Sequence, residues 1–139
     1  MNRRTRGLLA FGLGAGAVLW ALGLVAAAFL VPTYGGDSCQ GNPHGATVCD
    51  SLPSQTLFAV NGWWVVELLL AVAAVAAVAF WALHVFCVTG ARLAMHGAVA
   101  CICILGVFSF LSGFSIGPFV FPLVLLLIAS AAVTSDPST

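Results

Sequence analysis

From Ala94 to Val133 the chain runs for forty positions without an Asp, Glu, Lys or Arg. A second uncharged run covers Gly7 to Gly36. A small water-soluble domain can neither expose such stretches nor bury all of them. The solvent is therefore lipid. Composition agrees: 62% of the residues are hydrophobic and 6% charged, with four Arg, no Lys and four acidic side chains. Soluble domains are about one-quarter charged. A neutral, apolar chain of this kind is not a disordered tail, a coiled coil or a basic nucleic-acid module.

A crossing helix takes roughly 17 to 25 apolar residues, so four of them with short connections use nearly all of the 139 residues. The sequence thus predicts an all-α integral membrane four-helix bundle, a single unit over 1–139 with no soluble domain. The first span runs from Leu8 to Val31, behind Arg3, Arg4 and Arg6, and Pro32 marks its end. Its competing reading is a secretory signal peptide. The apolar run is longer than the 7 to 15 residues of such a segment, and three more apolar stretches follow. The second span covers 63–86, opened by Trp63 and Trp64, whose amphipathic rings suit the headgroup level.

The forty-residue run is too long for one crossing. Ser112–Pro118, rich in Gly and Ser, breaks it into a third span over 95–111 and a fourth over 118–133. Pro118 fits a first helical position, and Pro122 then predicts a kink or marks the point where the regular helix starts. That fourth span is only about 24 Å long at 1.5 Å per residue, short of the hydrocarbon thickness. It is extended by Phe114 to Ile116, sits in thinned bilayer or against other helices, or is re-entrant.

Arg3, Arg4 and Arg6 precede the first span, and an even number of crossings puts Arg92 on the same side. The connection 32–62 has no Lys or Arg. The positive-inside rule then predicts a multi-pass plasma-membrane protein with both termini and the anchor Arg92 in the cytoplasm. An Ala-rich chain without Lys also points to a GC-rich bacterial genome.

The outer loop, dense in Gly, Pro, Asn and Ser, reads as turn chemistry with little regular structure. Its position exposes Cys39 and Cys49 to an oxidising compartment, and their spacing closes through Gly41-Asn42-Pro43. A disulfide there is worth roughly 2 to 3 kcal/mol in the chain-entropy account. The alternative is a pair of free or metal-binding thiols with His44. A redox-active dithiol would show Cys-x-x-Cys, which is absent.

Glu67 is the acidic residue within a predicted span, and such a residue is a candidate functional carboxylate. It lies near a helix N-terminus, where the dipole favours a carboxylate, in partly dry surroundings that disfavour one. Ser109, Ser112 and Ser115 fall at similar depth and are its expected hydrogen-bond partners. Small four-span multidrug transporters also carry a membrane Glu, but deeper and in the first helix. At the other end, His84 and Cys87 share a helix face, and His96 opens the next helix. They are weak metal or haem candidates. Interfacial packing and lipid contact is the first reading, and no cofactor is expected. Cys101 and Cys103 point to nearly opposite sides and read as packing residues.

Gly12, Gly16, Gly23 and Ala27 line one stripe of the first helix and permit close backbone approach. Its first expected role is to seat the Ala-rich second span; its second is to seat another protomer. Gly12-x-Gly14-x-Gly16 lies inside a span, outside the strand–turn–helix setting of a dinucleotide site. Hydrolase, metalloprotease and P-loop motifs are absent.

Phe29-Leu30-Val31-Pro32-Thr33-Tyr34, the Cys39/Cys49 loop, Asn61-Gly62-Trp63-Trp64 and Gly113-Phe114-Ser115-Ile116-Gly117 occur in an order that resembles small, uncharacterised four-span membrane proteins of actinobacteria. The resemblance implies a bacterial inner-membrane protein and transfers no catalytic residue. The sequence therefore favours a structural, accessory or partner-binding membrane protein over an enzyme. Its partners are the bilayer and a membrane protein or a second copy, not nucleic acid. The alternative is a small oligomeric proton- or ion-coupled transporter or channel using Glu67.

Overall fold

Two of the connections dictate how the helices pack. Gly90 and Ala91 alone separate the helix that ends at Thr89 from the one that starts at Arg92, so these two must run antiparallel side by side. Gly90 takes the left-handed conformation (φ 69°, ψ 12°) and its N–H caps Phe86 O at 2.8 Å, the ordinary way to stop a helix. The computed structural model describes residues 3–41, 47–112 and 116–135. Its elements are α1 (Arg3–Leu30), β1 (Pro32–Gly41), β2 (Thr47–Thr56), α2 (Leu57–Asn61), α3 (Trp63–Thr89), α4 (Arg92–Leu111) and α5 (Gly117–Ser135).

Four of these helices, α1, α3, α4 and α5, are long and apolar enough to cross a membrane. They form an up-down bundle in which α1 packs on α3 and α5, and α4 closes the ring against the same two. The expected spans are thus present. α5 has 19 residues, about 28 Å at 1.5 Å per residue. That is longer than the sequence estimate and close to the hydrocarbon thickness, and Pro122 lies inside it.

The packing is inverted relative to a soluble bundle. The interior is built from small side chains on α1 and α3, with Ala17, Ala21, Ala73, Ala76 and Ala79 set against bulkier Ile102, Leu105, Leu123 and Leu127 on α4 and α5. Large apolar side chains point outward instead: Phe110 is 86% exposed, and Leu19, Trp81 and Leu111 are likewise exposed. No water-soluble surface sustains so many. In lipid nothing drives them inward, and close approach of small-residue faces does the packing. This is a multi-pass membrane protein.

The connection between α1 and α3 departs from expectation. It is not irregular: β1 and β2 pair antiparallel along ten residues each. The cause lies in its ends. α1 and α3 are neighbours, and Phe29 meets Phe58 at 4.9 Å between ring centroids, so the two arms leave from adjacent points. Much of the cost of bringing the ends together is then already met, and pairing satisfies the backbone of both arms. The Gly- and Pro-rich composition is absorbed by irregularities. The register shifts between Pro32 and Tyr34 and again between Tyr34 and Gly36, opposite Pro53 and Ser54. A proline at a bulge forfeits little of the ladder.

Candidate functional site

At the hairpin end, the short α2 serves as the splice. Thr56 caps it, its hydroxyl accepting from Ala59 N–H at 3.2 Å. Gly62 then takes φ 72°, ψ −159°, a conformation that side-chain-bearing residues avoid. This sharp reversal starts α3 at Trp63. The Phe58 ring sits edge-on to Trp63 at 5.3 Å while also contacting Phe29. Phe29, Phe58 and Trp63 therefore clamp the end of α1, α2 and the start of α3. Trp63 and Trp64 are themselves 67% and 58% exposed, as anchors at a headgroup level would be.

Within the hairpin, Cys39 stands directly opposite Cys49 in the register. Directly paired residues of antiparallel strands have Cα atoms about 4.5 to 5.5 Å apart, inside the 4.4 to 6.8 Å that a disulfide spans. His44, the third residue of the metal alternative, lies outside the described residues.

Glu67 lies one turn below the Trp pair and is exposed on the outward side of α3. The described residues give its carboxylate no hydrogen bond or ion pair. The expected serine partners are turned elsewhere. Ser109 Oγ donates to Gly117 O at 2.8 Å and Ser112 Oγ to Phe108 O at 2.6 Å. Ser115 lies outside the described residues. The correction has a simple cause: Ser109 is buried where α4 and α5 nearly touch. A side chain at Gly117 would overlap the Ser109 carbonyl, so only glycine lets the backbones approach that closely.

At the opposite end, His84 and Cys87 line a half-open cleft of about 350 Å³ with Leu8, Phe11, Phe80 and Thr134. Phe11 stacks edge-on to both Phe80 (5.4 Å) and His84 (6.3 Å). His96 is not part of this lining. No three His, Cys, Asp or Glu side chains come together among the described residues. The cleft walls are chiefly aliphatic and aromatic. Arg92, the proposed anchor at this end, is exposed at the start of α4. Cys101 is half-buried and Cys103 exposed, on different sides of α4 as their spacing requires.

The glycine stripe is where the sequence misled most. A side chain at Gly12, Gly16 or Gly23 would meet nothing within 4 Å in this chain. The stripe does not seat α3. The buried face of α1 is Ala10, Gly14, Ala17, Ala21 and Ala28, on the opposite side of the helix. There the Phe80 ring of α3 lies flush against Gly14. Gly16, Gly23 and Ala27 instead line a shallow groove of about 530 Å³ with Leu19, Trp20, Leu24 and Phe119.

Two polar contacts that fix α1 against α5 carried no sequence signal. Buried Ser130 Oγ donates to Ala10 O at 2.9 Å. Trp20 Nε1 donates to Phe119 O at 2.9 Å, near Pro122, whose missing N–H and bulky ring loosen that turn. Both pairs are more than ninety residues apart in sequence, and a lone Ser or Trp in a span announces no such partner. Comparison with family models, curated proteins and solved structures finds no match for this chain.

Proposed function

We propose that the chain is a structural, accessory or partner-binding protein of a bacterial plasma membrane. Both termini lie in the cytoplasm, and the β-hairpin is presented outside as its recognition surface, stapled by a Cys39–Cys49 disulfide. The observation that carries this reading is the interior of the bundle. Among the described residues its buried polar side chains are Ser109 and Ser130, both bonded to backbone carbonyls, and no buried side-chain N or O lacks a partner. A chain so sealed offers no polar path through one copy. Its polar elaboration lies outside the bundle, in the hairpin. The direct cross-strand pairing of Cys39 and Cys49 supports the staple, and the uncharged spans flanked by Arg support the orientation.

The test is purification in native-lipid discs of the full chain and of a variant whose residues 36–52 are replaced by a flexible linker. A partner should co-purify in fixed ratio with the first and be lost from the second. Proton flux in proteoliposomes that is present in the wild type and abolished by Glu67→Gln would overturn the reading in favour of transport.

A further inference from the structure

α3 turns one face to the bundle and a distinct one away from it. Its buried residues, among them Val65, Leu69, Val72, Ala76 and Leu83, line the inner side. On the outer side Glu67, Ala71, Ala74, Val78 and Trp81 are all exposed. At 3.6 residues per turn these five fall within an arc of about 80°. They form a strip that is small at its centre, carries a carboxylate near one end and has Trp81 towards the other. What sets this strip apart is its charge, since Glu67 is the one acidic residue within the four long helices.

Among the described residues no cation pairs with the carboxylate. All four Arg lie at the other end of the bundle: Arg3, Arg4 and Arg6 at the start of α1, and Arg92 just past the end of α3. From Glu67 to Thr89 the helix rises about 33 Å at 1.5 Å per residue. A second copy crossing in the same direction would bring its own Glu67 to the same depth, where like charges repel. Charge complementarity therefore selects a different partner.

We propose that the outward face of α3 seats a transmembrane helix of another protein that carries a Lys or Arg about one turn below the hairpin-side interface. Glu67 is its counter-ion, and Ala71, Ala74 and Val78 form the strip against which its backbone packs. The small residues allow the close approach that interhelical contact in lipid requires, and the ion pair fixes register and direction. This deepens the partner-binding reading and rests on it, but it stands on α3 rather than on the hairpin.

The test uses a synthetic Leu/Ala helix of about 23 residues with one Lys a turn below its outer Trp, and otherwise identical helices with Leu or Glu at that position. Binding to the full chain is read by energy transfer in phosphatidylcholine–phosphatidylglycerol vesicles. The wild type should bind the Lys helix about five- to thirty-fold more tightly than the Leu helix, the span of polar interhelical contacts in model peptides. Glu67→Leu should abolish that preference, and Glu67→Lys should transfer it to the Glu helix. Because Glu67 is exposed, helicity and monomer yield should be unchanged in both variants. Equal binding of the Lys and Leu helices by the wild type would overturn the proposal and leave the strip to lipid, as would a preference that survives Glu67→Leu. A chain without its hairpin should keep the Lys preference, so failure of the hairpin as a recognition surface and failure of this site give different results.

Discussion

The two small-residue faces of α1 have nearly the same composition and opposite fates. Ala10, Gly14, Ala17, Ala21 and Ala28 are buried, whereas Gly12, Gly16 and Gly23 have open space above them. Both faces would let another backbone approach closely. What separates them is the shape offered by the neighbour. Phe80 of α3 projects a ring that only a residue without Cβ accommodates, and Ser130 of α5 supplies a hydroxyl to Ala10 O on that same side. Small residues permit a contact; the bulky or polar group opposite decides where it forms.

The sharpest way to break this comparison is to fill the buried face. Gly14→Leu places side-chain atoms where the Phe80 ring lies, so the ring or the α1–α3 contact must shift. A loss of about 3 kcal/mol, at the upper end of ordinary overpacking, is expected. It can be measured by reversible unfolding in mixed micelles. An unchanged stability would move the α1–α3 contact elsewhere.

Ser130→Ala on the same side should do less. It removes one interhelical hydrogen bond, typically about 0.6 kcal/mol in membrane proteins, and leaves no bulky group displaced. The same unfolding assay resolves it when Gly14→Leu is the reference. A loss as large as that of Gly14→Leu would mean that the hydroxyl organises the α1–α5 contact rather than merely fastening it.

The smallest effect belongs to the open face. Gly12→Leu should alter the stability of the isolated chain by no more than about 0.5 kcal/mol, as surface changes usually do. A marked loss would place a protein surface over the stripe, and mass measurement in detergent would then identify a second copy.

How much of this was legible in the sequence differs by level. The number of spans and their approximate ends follow from uncharged runs and from Pro and Gly breaks, which act locally. The seat of α1 does not, because Gly12-x-x-x-Gly16 and Ala10-x-x-x-Gly14 share the same small-residue spacing. The partner ring at Phe80 lies sixty-six positions from Gly14, and nothing in either segment names the other. The hairpin was missed for a related reason. Gly, Pro and Asn mark turns when neighbours alone decide, but here α1 and α3 hold the ends of the segment together and pairing follows. Glu67 stands out in the sequence because a carboxylate in a span is conspicuous. Its assignment to the serines failed, since depth does not fix the direction in which a helix faces.

The central claim is that four helices cross the membrane and carry the hairpin to the outer side. Ser54 is exposed near the end of β2, and Thr5 is exposed at the start of α1. Each is replaced by Cys in a chain whose five native cysteines are Ser, and intact cells are treated with a membrane-impermeant maleimide. The account predicts labelling of Ser54→Cys in intact cells and of Thr5→Cys only after permeabilisation. Labelling of Thr5→Cys in intact cells with Ser54→Cys protected would contradict it.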